Sequence, residues 1–233
     1  MIDLGRREGR MLRVGHRGAA ALAPENTIAS LALAVELGCD LVEVDVLELD
    51  GALVLAHSDA EVPAELTTLD EALAFLASAT CGIQLDLKAR GVEGALVEAV
   101  RKRGLVERAV VSSFRPASLR ALHTLEPSLR LGLTYPEDRY GLGRSRLFAP
   151  LMGTTLAGLR ATLPRRIGRM VRAARASAAM LHWQVVSKPV VDRCHALGAP
   201  VLAWTLTSRD QVRALDELGV DGVIADDPRI FQS

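Results

Sequence analysis

Two acidic side chains alternate with valines in one apolar segment of the chain. In DLVEVDVLEL, residues 40–49, Glu43 and Asp45 each stand between two valines. Because the side chains of a β-strand point alternately to opposite faces, the two carboxylates share one face of the strand that this segment predicts. A parallel strand covered on both sides is normally apolar throughout, so two inward carboxylates require a compensating positive charge.

The same alternation returns in a later strand-like segment, IQLDLK, residues 83–88. Here Gln84, Asp86 and Lys88 share one face of the predicted strand, and two leucines take the other. Parallel strands end at the same edge of a sheet, so we expect the acids of the two segments to converge there. The converging acids are Glu43, Asp45 and Asp86.

Three carboxylates at one edge of a sheet form an all-oxygen ligand set. Such a set suits Mg²⁺ or Ca²⁺, with Mn²⁺ as a further option, and we expect a divalent metal cation as cofactor. The alternative is that the acids form salt bridges with Lys88 and Arg17, without a metal ion.

Two histidines belong to the same predicted edge. His16 ends the first strand-like segment, and His57 follows an apolar run just beyond an Asp-Gly turn. Imidazoles beside carboxylates and a cation suit proton transfer, while the fixed charges of Arg17 and Lys88 suit a phosphate better than a neutral substrate. The remaining histidines are expected to be structural or on the surface: His123, His182 and His195.

Short apolar runs alternate with segments of helical periodicity along the chain. We predict strands near residues 11–15, 40–47, 82–87, 108–113, 129–133, 178–181, 200–205 and 221–225. Several of the intervening helical segments end at a glycine, the usual helix stop. The repetition of strand and helix indicates an α/β protein with a parallel sheet, and eight strands would close a (β/α)₈ TIM barrel. An open doubly wound sheet is the rival, but no Gly-x-Gly-x-x-Gly motif follows the first strand.

The composition agrees with one large domain. The chain has 233 residues, of which 49% are hydrophobic, and its 28 basic and 28 acidic residues cancel; barrels of this class use roughly 250 residues. The three cysteines stand apart without a C-x-x-C motif, which favours a reduced, cytoplasmic protein with buried thiols. We find neither a signal peptide nor an apolar run of roughly 18 residues, so neither secretion nor a membrane span is expected.

One segment departs from the overall charge balance. From Arg139 to Val191 there are ten basic residues and no acidic residue, with apolar residues interleaved. The segment predicts either a basic amphipathic element that contacts an anionic membrane through residues 139–175, or a solvated helix face whose arginine stems cover a core. The first interpretation would make the protein peripherally membrane-associated. Nucleic acid is not expected as a partner, because the basic residues lack the interleaved aromatic side chains that single strands need.

An ordered set of motifs runs from about Leu12 to Pro228. The motifs are GHRGAA…PENT, GCDLVEVDV, DGALVLAH, LDLK, VVSSF, HALGAPVLAWTL and GVDGVIADDP. In this set and order the chain resembles the glycerophosphodiester phosphodiesterase family of the PLC-like phosphodiesterase superfamily. The resemblance implies one TIM-barrel domain over residues 1–233, with a family-like region at about 12–228 and a shortened insertion after the second strand.

The resemblance also implies roles for individual residues. His16 and His57 match the two catalytic histidines that act as acid and base. Glu43 and Asp45 match the two metal carboxylates, and Asp86 falls where the family usually has a glutamate. The shorter side chain of Asp86 draws its carboxylate back by about one C–C bond, ~1.5 Å.

Four further residues receive implied roles in holding the substrate. Arg17 and Lys88 match residues that contact phosphate. Trp204 resembles the aromatic wall of the substrate pocket, although packing inside the barrel would equally explain it. Glu25, in the PENT motif, is expected to support the site through its neighbours rather than as a direct metal ligand.

The function implied by the resemblance is that of a phosphoric diester hydrolase. It would be a metal-dependent hydrolysis of small glycerophosphodiesters to sn-glycerol 3-phosphate and an alcohol. Ser58 and Thr207 depart from the family pattern, as does the short stretch after His57, and these departures leave the identity of the alcohol open. The alternatives are a lysophospholipase D-like phosphodiesterase that acts on lysophospholipids at a membrane surface, and a non-catalytic phosphoester-binding protein.

Overall fold

In a computed structural model of the chain, the described residues are 1–58, 66–137 and 149–231, and the side chains of 149–154 are not described. The connection that the sequence predicts to be shortened falls mainly at 59–65, outside these ranges. The beginning of the basic segment likewise lies outside them.

Nine strands of the described residues form one sheet, and eight of them close into a barrel. The strands are β1 Leu12–Gly15, β2 Leu41–Leu49, β3 Ala52–Leu55, β4 Gly82–Leu87, β5 Ala109–Ser113, β6 Arg130–Tyr135, β7 Ala178–His182, β8 Val201–Leu206 and β9 Gly222–Ala225. Neighbouring barrel strands are parallel, and β1 pairs with both β2 and β9, which closes the ring. The eight predicted strands and the (β/α)₈ fold are confirmed, and the rival open sheet is wrong.

Helices pack around the barrel and connect its strands. They are α1 Ile28–Glu36, α2 Leu69–Ser78, α3 Glu93–Lys102, α4 Pro116–Leu125, α5 Ala149–Ala174, α6 Lys188–His195 and α7 Arg209–Glu217. Thr27, Thr68 and Ser208 begin α1, α2 and α7 with capping boxes, in which each side-chain oxygen accepts a hydrogen bond from a free backbone N–H of the first turn. None of the described helices is long and apolar enough to cross a membrane.

The barrel interior is layered along its axis. Toward the N-terminal ends of the strands the inward side chains are apolar and buried, as at Leu12, Leu41 and Val110. Toward the C-terminal ends they become polar: on β2, Glu43 and Asp45 follow Leu41 at alternate positions. The polar layer therefore faces the end of the barrel where the connections between strands and helices converge, which is where TIM barrels carry their sites.

An additional strand, β3, lies outside the ring. It pairs antiparallel with the end of β2 through a tight turn at Asp50 and Gly51, which have φ values of 50° and 81°. Left-handed backbone of this kind suits glycine and tolerates aspartate. The sequence indicated the turn and the apolar run after it, but not that the run pairs as a strand. The pairing directs the chain back toward the polar layer, where His57 follows.

Asp40 holds the N-terminal segment against the barrel end opposite the polar layer. Its carboxylate, 3% exposed, accepts hydrogen bonds from Arg10 at 2.6 and 2.8 Å and from the backbone N–H of Arg13 at 2.8 Å, and it pairs with Arg7 at 2.9 Å. Burial alone would raise the pKa of Asp40, but these donors outweigh it and hold the pKa below its ordinary value.

The described part of the basic segment belongs to α5. The apolar side chains of Leu156, Leu163 and Ile167 are buried against the barrel. The opposite side of the helix carries exposed arginines, which we call the arginine stripe: Arg165, Arg166, Arg169 and Arg172. In the described residues the segment thus has the geometry of a solvated helix face, and contact with lipid stays a prediction.

Candidate active site

A cavity of about 680 Å³ opens among the polar side chains at the C-terminal end of the barrel. Most of the residues that the sequence singled out line it: His16, Arg17, Glu43, His57, Asp86, Lys88 and Trp204. Asp45 is buried among them, with 1% of its surface exposed. Glu25 lies behind Arg17, whose Nη1 donates to both Glu25 carboxylate oxygens at 2.8 Å. The structure therefore brings all nine predicted site residues together.

The three predicted carboxylates form one compact group. One oxygen from each of Glu43, Asp45 and Asp86 lies within 4.8 Å of the other two, and all three residues are buried. The pairing of β2 with β4 produces this arrangement, because it places Asp45 beside Asp86 in register. Buried oxygens at this spacing are chemically suited to a hard divalent cation.

Asp45 is the most heavily paired of the three. Lys88 Nζ lies 2.8 Å from its Oδ1, and Arg17 Nε lies 2.9 Å from its Oδ2. Asn26 adds two hydrogen bonds: its Nδ2 donates to Asp45 Oδ2 at 3.2 Å, and its Oδ1 accepts from the Asp45 backbone N–H at 3.1 Å. Burial would raise the pKa of Asp45, but the charges of Lys88 and Arg17 lower it well below its ordinary value. Asp45 therefore remains ionised.

Glu43 has fewer positive partners. Its Oε2 accepts a hydrogen bond from the backbone N–H of Arg17 at 2.8 Å. Burial and the nearby charge of Asp45 raise the pKa of Glu43 to about 7. A divalent cation in the group would compensate the same crowded negative charge.

Asp86 is held by hydroxyl groups from the two following barrel strands. Its Oδ1 accepts hydrogen bonds from Ser112 Oγ at 2.6 Å and from Thr134 Oγ1 at 3.2 Å, while its Oδ2 pairs with Lys88. The hydroxyls leave the carboxylate facing the group of acids although its side chain is one methylene shorter than glutamate. This finding supports the predicted place of Asp86 in the acidic set.

His16 is held in one orientation by Asp226, which directly follows β9. The Asp226 Oδ1 atom lies 2.6 Å from His16 Nδ1, and His16 Nε2 lies 3.9 Å from Glu43 Oε2. Burial alone would lower the pKa of His16, but the charge of Glu43 and the hydrogen bond to Asp226 outweigh it and raise the pKa. With Nδ1 occupied, Nε2 is the nitrogen that faces the cavity.

The loop between β1 and α1 explains the His-Arg-Gly and Pro-Glu-Asn-Thr motifs. Arg17, Gly18 and Asn26 all have left-handed backbone, with φ values of 48°, 84° and 59°. A Cβ atom on Gly18 would lie 2.4 Å from Ser30 Oγ, so the first turn of α1 approaches too closely for any larger residue. Ser30 Oγ in turn donates to the backbone oxygen of Arg17 at 2.8 Å. The motif thereby fixes the backbone that carries Arg17.

Part of the cavity lining is aromatic. Phe114 and His182 both meet Trp204 edge-to-face, with ring centroids 6.1 and 5.2 Å apart, and Trp204 Nε1 donates to the backbone oxygen of Met180 at 3.1 Å. Lys88 Nζ lies 5.4 Å from the centre of the Phe114 ring. Trp204 thus both packs inside the barrel and lines the cavity, so the two interpretations of this residue are compatible.

Several residues of the site escaped the sequence analysis. They are Asn26, Ser112, Phe114, Arg115, Thr134 and Asp226. Asp226 could have been found by the rule that located His16, since it is the polar residue directly after a barrel strand. The role of Asn26 could not, because nothing in the sequence shows that the loop carrying it lies over β2; the next residue, Thr27, caps α1.

Comparison with known proteins agrees with this geometry. Residues 16–73 and 86–230 match the model of the glycerophosphoryl diester phosphodiesterase family. A glycerophosphodiester phosphodiesterase of Caldanaerobacter subterraneus subsp. tengcongensis is 26% identical over an alignment of 256 positions, and the alignment covers 93% of this chain and 94% of that protein.

Solved structures share the fold. A phosphodiesterase of Oleispira antarctica in complex with the product sn-glycerol-3-phosphate has a TM-score of 0.74 at 23% identity, and 95% of each chain is covered. A glycerophosphodiester phosphodiesterase of Agrobacterium tumefaciens has a TM-score of 0.71 at 21% identity, with 95% of this chain and 98% of that one covered. The chain is an enzyme that belongs to the glycerophosphoryl diester phosphodiesterase family.

Proposed function

We propose that this protein hydrolyses glycerophosphodiesters to sn-glycerol 3-phosphate and an alcohol, with a divalent cation as cofactor. One observation carries the proposal: carboxylates, fixed cations and imidazoles converge on a single cavity. An anionic phosphodiester needs positive charge to bind, and its hydrolysis needs a proton acceptor and a proton donor. The product named in the Oleispira complex supports the same reaction.

Arg17 and Lys88 are proposed to hold the phosphate. The guanidinium of Arg17 is fixed by its two hydrogen bonds to Glu25, and the ammonium of Lys88 is fixed between Asp45 and Asp86. Both groups are preorganised, so neither has to move when negative charge builds up on the phosphate oxygens. Glu25 is proposed to act through Arg17 rather than as a direct metal ligand.

His16 and His57 are proposed to transfer the protons. One imidazole accepts the proton of the attacking hydroxyl as the new P–O bond forms. The other donates a proton to the alkoxide that leaves as the old P–O bond breaks. The attacking hydroxyl belongs to water, or to the neighbouring glycerol hydroxyl with a cyclic phosphate as the first product.

Glu43, Asp45 and Asp86 are proposed to hold the divalent cation. When bound, the cation would neutralise charge on the phosphodiester and lower the pKa of a hydroxyl group. The residues present fit this role, because they offer only hard oxygen atoms, and because the charges of Lys88 and Arg17 still leave Glu43 with a raised pKa.

The test is the release of glycerol 3-phosphate from glycerophosphocholine and glycerophosphoethanolamine. It is measured with Mg²⁺, Ca²⁺ or Mn²⁺ and with EDTA, for the unchanged protein and for Asp45→Asn. We expect release that depends on the metal and is lost in Asp45→Asn. Asp192→Asn, at an exposed carboxylate on α6, is the matched control and should keep full activity. Release that persists in EDTA would contradict metal dependence, and no release with any metal would contradict the substrate.

The arginine stripe supports a second candidate, the hydrolysis of lysophospholipids at an anionic membrane. No residue of the stripe forms an ion pair in the described part of the chain. Near an anionic surface each arginine contributes about 1 kcal/mol to binding. Because the described apolar side chains of α5 mostly pack against the barrel, this contact would be electrostatic and weakened by salt.

Co-sedimentation with vesicles tests the membrane contact. Vesicles of phosphatidylcholine with and without phosphatidylglycerol would be compared at low and high salt. We expect binding only to anionic vesicles at low salt, and loss of binding on joint substitution of Arg165, Arg169 and Arg172 by Gln. The matched control makes the same change at Lys102, Arg209 and Arg213 on other helices. No binding of the unchanged protein at low salt would exclude this candidate.

A further inference from the structure

Gln84 carries a buried acceptor that no described residue of the protein satisfies. The residue lies on the inward face of β4, beside Asp86 on the same strand and in register with Glu43 on β2. It is 3% exposed and lines the cavity. Its Oε1 atom is closed to solvent and has no hydrogen-bond partner among residues 1–58, 66–137 and 149–231.

The hydrogen-bond network determines which way the amide of Gln84 is turned. Ser112 Oγ donates its only proton to Asp86 Oδ1 at 2.6 Å, so it can act only as an acceptor toward Gln84. The atom 3.1 Å from Ser112 Oγ must therefore be the amide nitrogen, Nε2. The atom of Gln84 without a hydrogen bond is then the oxygen, Oε1. This assignment follows from the hydrogen bonds alone and does not require the nitrogen and oxygen of the amide to be distinguished directly.

An unpaired buried acceptor is costly, and folded proteins rarely keep one without a reason. The charges around Gln84 restrict what its oxygen can bind. Glu43 and Asp86 are neighbouring carboxylates, so the partner must bring positive charge or a proton, and a phosphate oxygen would be repelled. Amide oxygens are ordinary ligands of hard divalent cations.

We propose that Gln84 Oε1 is a further protein ligand of the divalent cation, in addition to Glu43, Asp45 and Asp86. The inference rests on the metal site of the proposed function and extends it to a neutral ligand. It also gives a reason for the short acidic side chain at Asp86. A longer, neutral side chain two residues earlier on the same face supplies oxygen to the site from the same strand.

Metal affinity without substrate tests the proposal. The dissociation constants of Ca²⁺ and Mg²⁺ would be measured by isothermal titration calorimetry for the unchanged protein, Gln84→Met and Gln84→Glu. Methionine keeps the length of the side chain and removes the oxygen, so we expect affinity to fall by at least about 10-fold. Glutamate keeps an oxygen, so affinity should be retained or increased. Gln184→Met, the same change outside the cavity lining, is the matched control and should leave affinity unchanged.

The melting temperature of the metal-free protein gives a second measure. Gln84→Met removes the unpaired oxygen, so its metal-free form should melt no lower than the unchanged protein, while the increase on adding Ca²⁺ should shrink. Unchanged metal affinity in Gln84→Met would overturn the proposal. If metal affinity is unchanged and that variant binds glycerol 3-phosphate more weakly, Oε1 is instead assigned to a substrate hydroxyl. If the unchanged protein binds no divalent cation, the metal dependence of the proposed function fails first, before any variant is compared.

Discussion

Asp226 and His16, which lie 210 positions apart in the sequence, are joined by a hydrogen bond of 2.6 Å. The carboxylate follows the last barrel strand, and the imidazole follows the first. Because β1 and β9 pair in parallel, the two residues leave the barrel side by side. Asp226 binds the Nδ1 atom of His16 and leaves its Nε2 atom facing the cavity, so Asp226 is expected to act on the reaction by positioning His16.

Asp226→Asn is expected to lower kcat by at least about 10-fold and to leave KM within a factor of about three. The amide can hold the ring in place, but it no longer stabilises the protonated imidazole. Steady-state kinetics with a glycerophosphodiester check this split. Asp227→Asn is the control, since that neighbouring carboxylate pairs with Arg229 and not with the site. An equal loss in both variants would show that Asp226 has no special role.

His16→Ala and His57→Ala are each expected to reduce kcat by about 10²- to 10⁴-fold while the fold survives. Each change removes one of the two groups proposed to transfer protons. Activity is compared with the far-ultraviolet circular dichroism spectrum, which should not change. His123→Ala, on the outer helix α4, should behave like the unchanged protein. Near-normal turnover in either site variant would contradict its assignment.

Asp40→Asn is expected to lower the free energy of unfolding by about 2 kcal/mol at pH 7. The pKa of Asp40 is lowered in the folded state, so its stabilisation is fully present above the unfolded value near 3.9 and disappears as the pH falls through the folded value. Urea unfolding at pH 7 and at acid pH should therefore show a difference that shrinks below about pH 4. A difference that stayed constant with pH would mean that the ionised carboxylate is not the source.

Gly18→Ala is expected to destabilise the protein by about 2–4 kcal/mol, since a left-handed backbone and a close contact with Ser30 both oppose a side chain. Gly38→Ala is the matched control. Gly38 also has positive φ, but a Cβ atom there would meet nothing within 4 Å, so only about 1 kcal/mol should be lost. Thermal or urea unfolding measures both. Equal losses would show that the contact with α1 is not tight.

The barrel was predictable because its signal is local and repeated. Each strand is a short apolar run, and the acids on β2 and β4 interrupt that pattern at alternate positions. This spacing implies that the acids of each strand share one face of the sheet. The same argument placed His16, because a polar residue after an apolar strand lies at the carboxyl end of the sheet. The fold and the acidic group thus follow from rules that need only residues close to one another in the sequence.

The remaining contacts join elements that the sequence does not place side by side. Asn26 follows a proline in a loop, and only the folding of that loop over β2 shows that it binds Asp45. Ser112 and Thr134 are unremarkable strand residues until the barrel curves them toward Asp86. The charge of the basic segment was equally ambiguous, since its apolar side chains could have faced lipid as well as the barrel.

The closure of the ring between β1 and β9 has a consequence for how activity arises during folding. His16 is made early and Asp226 late, and the two meet only when the final strand docks against the first. A chain in which all barrel strands except β9 have paired still lacks the contact that orients the imidazole of His16. Onset of turnover in a refolding experiment would therefore report the docking of β9 against β1, in whatever order the other strands pair.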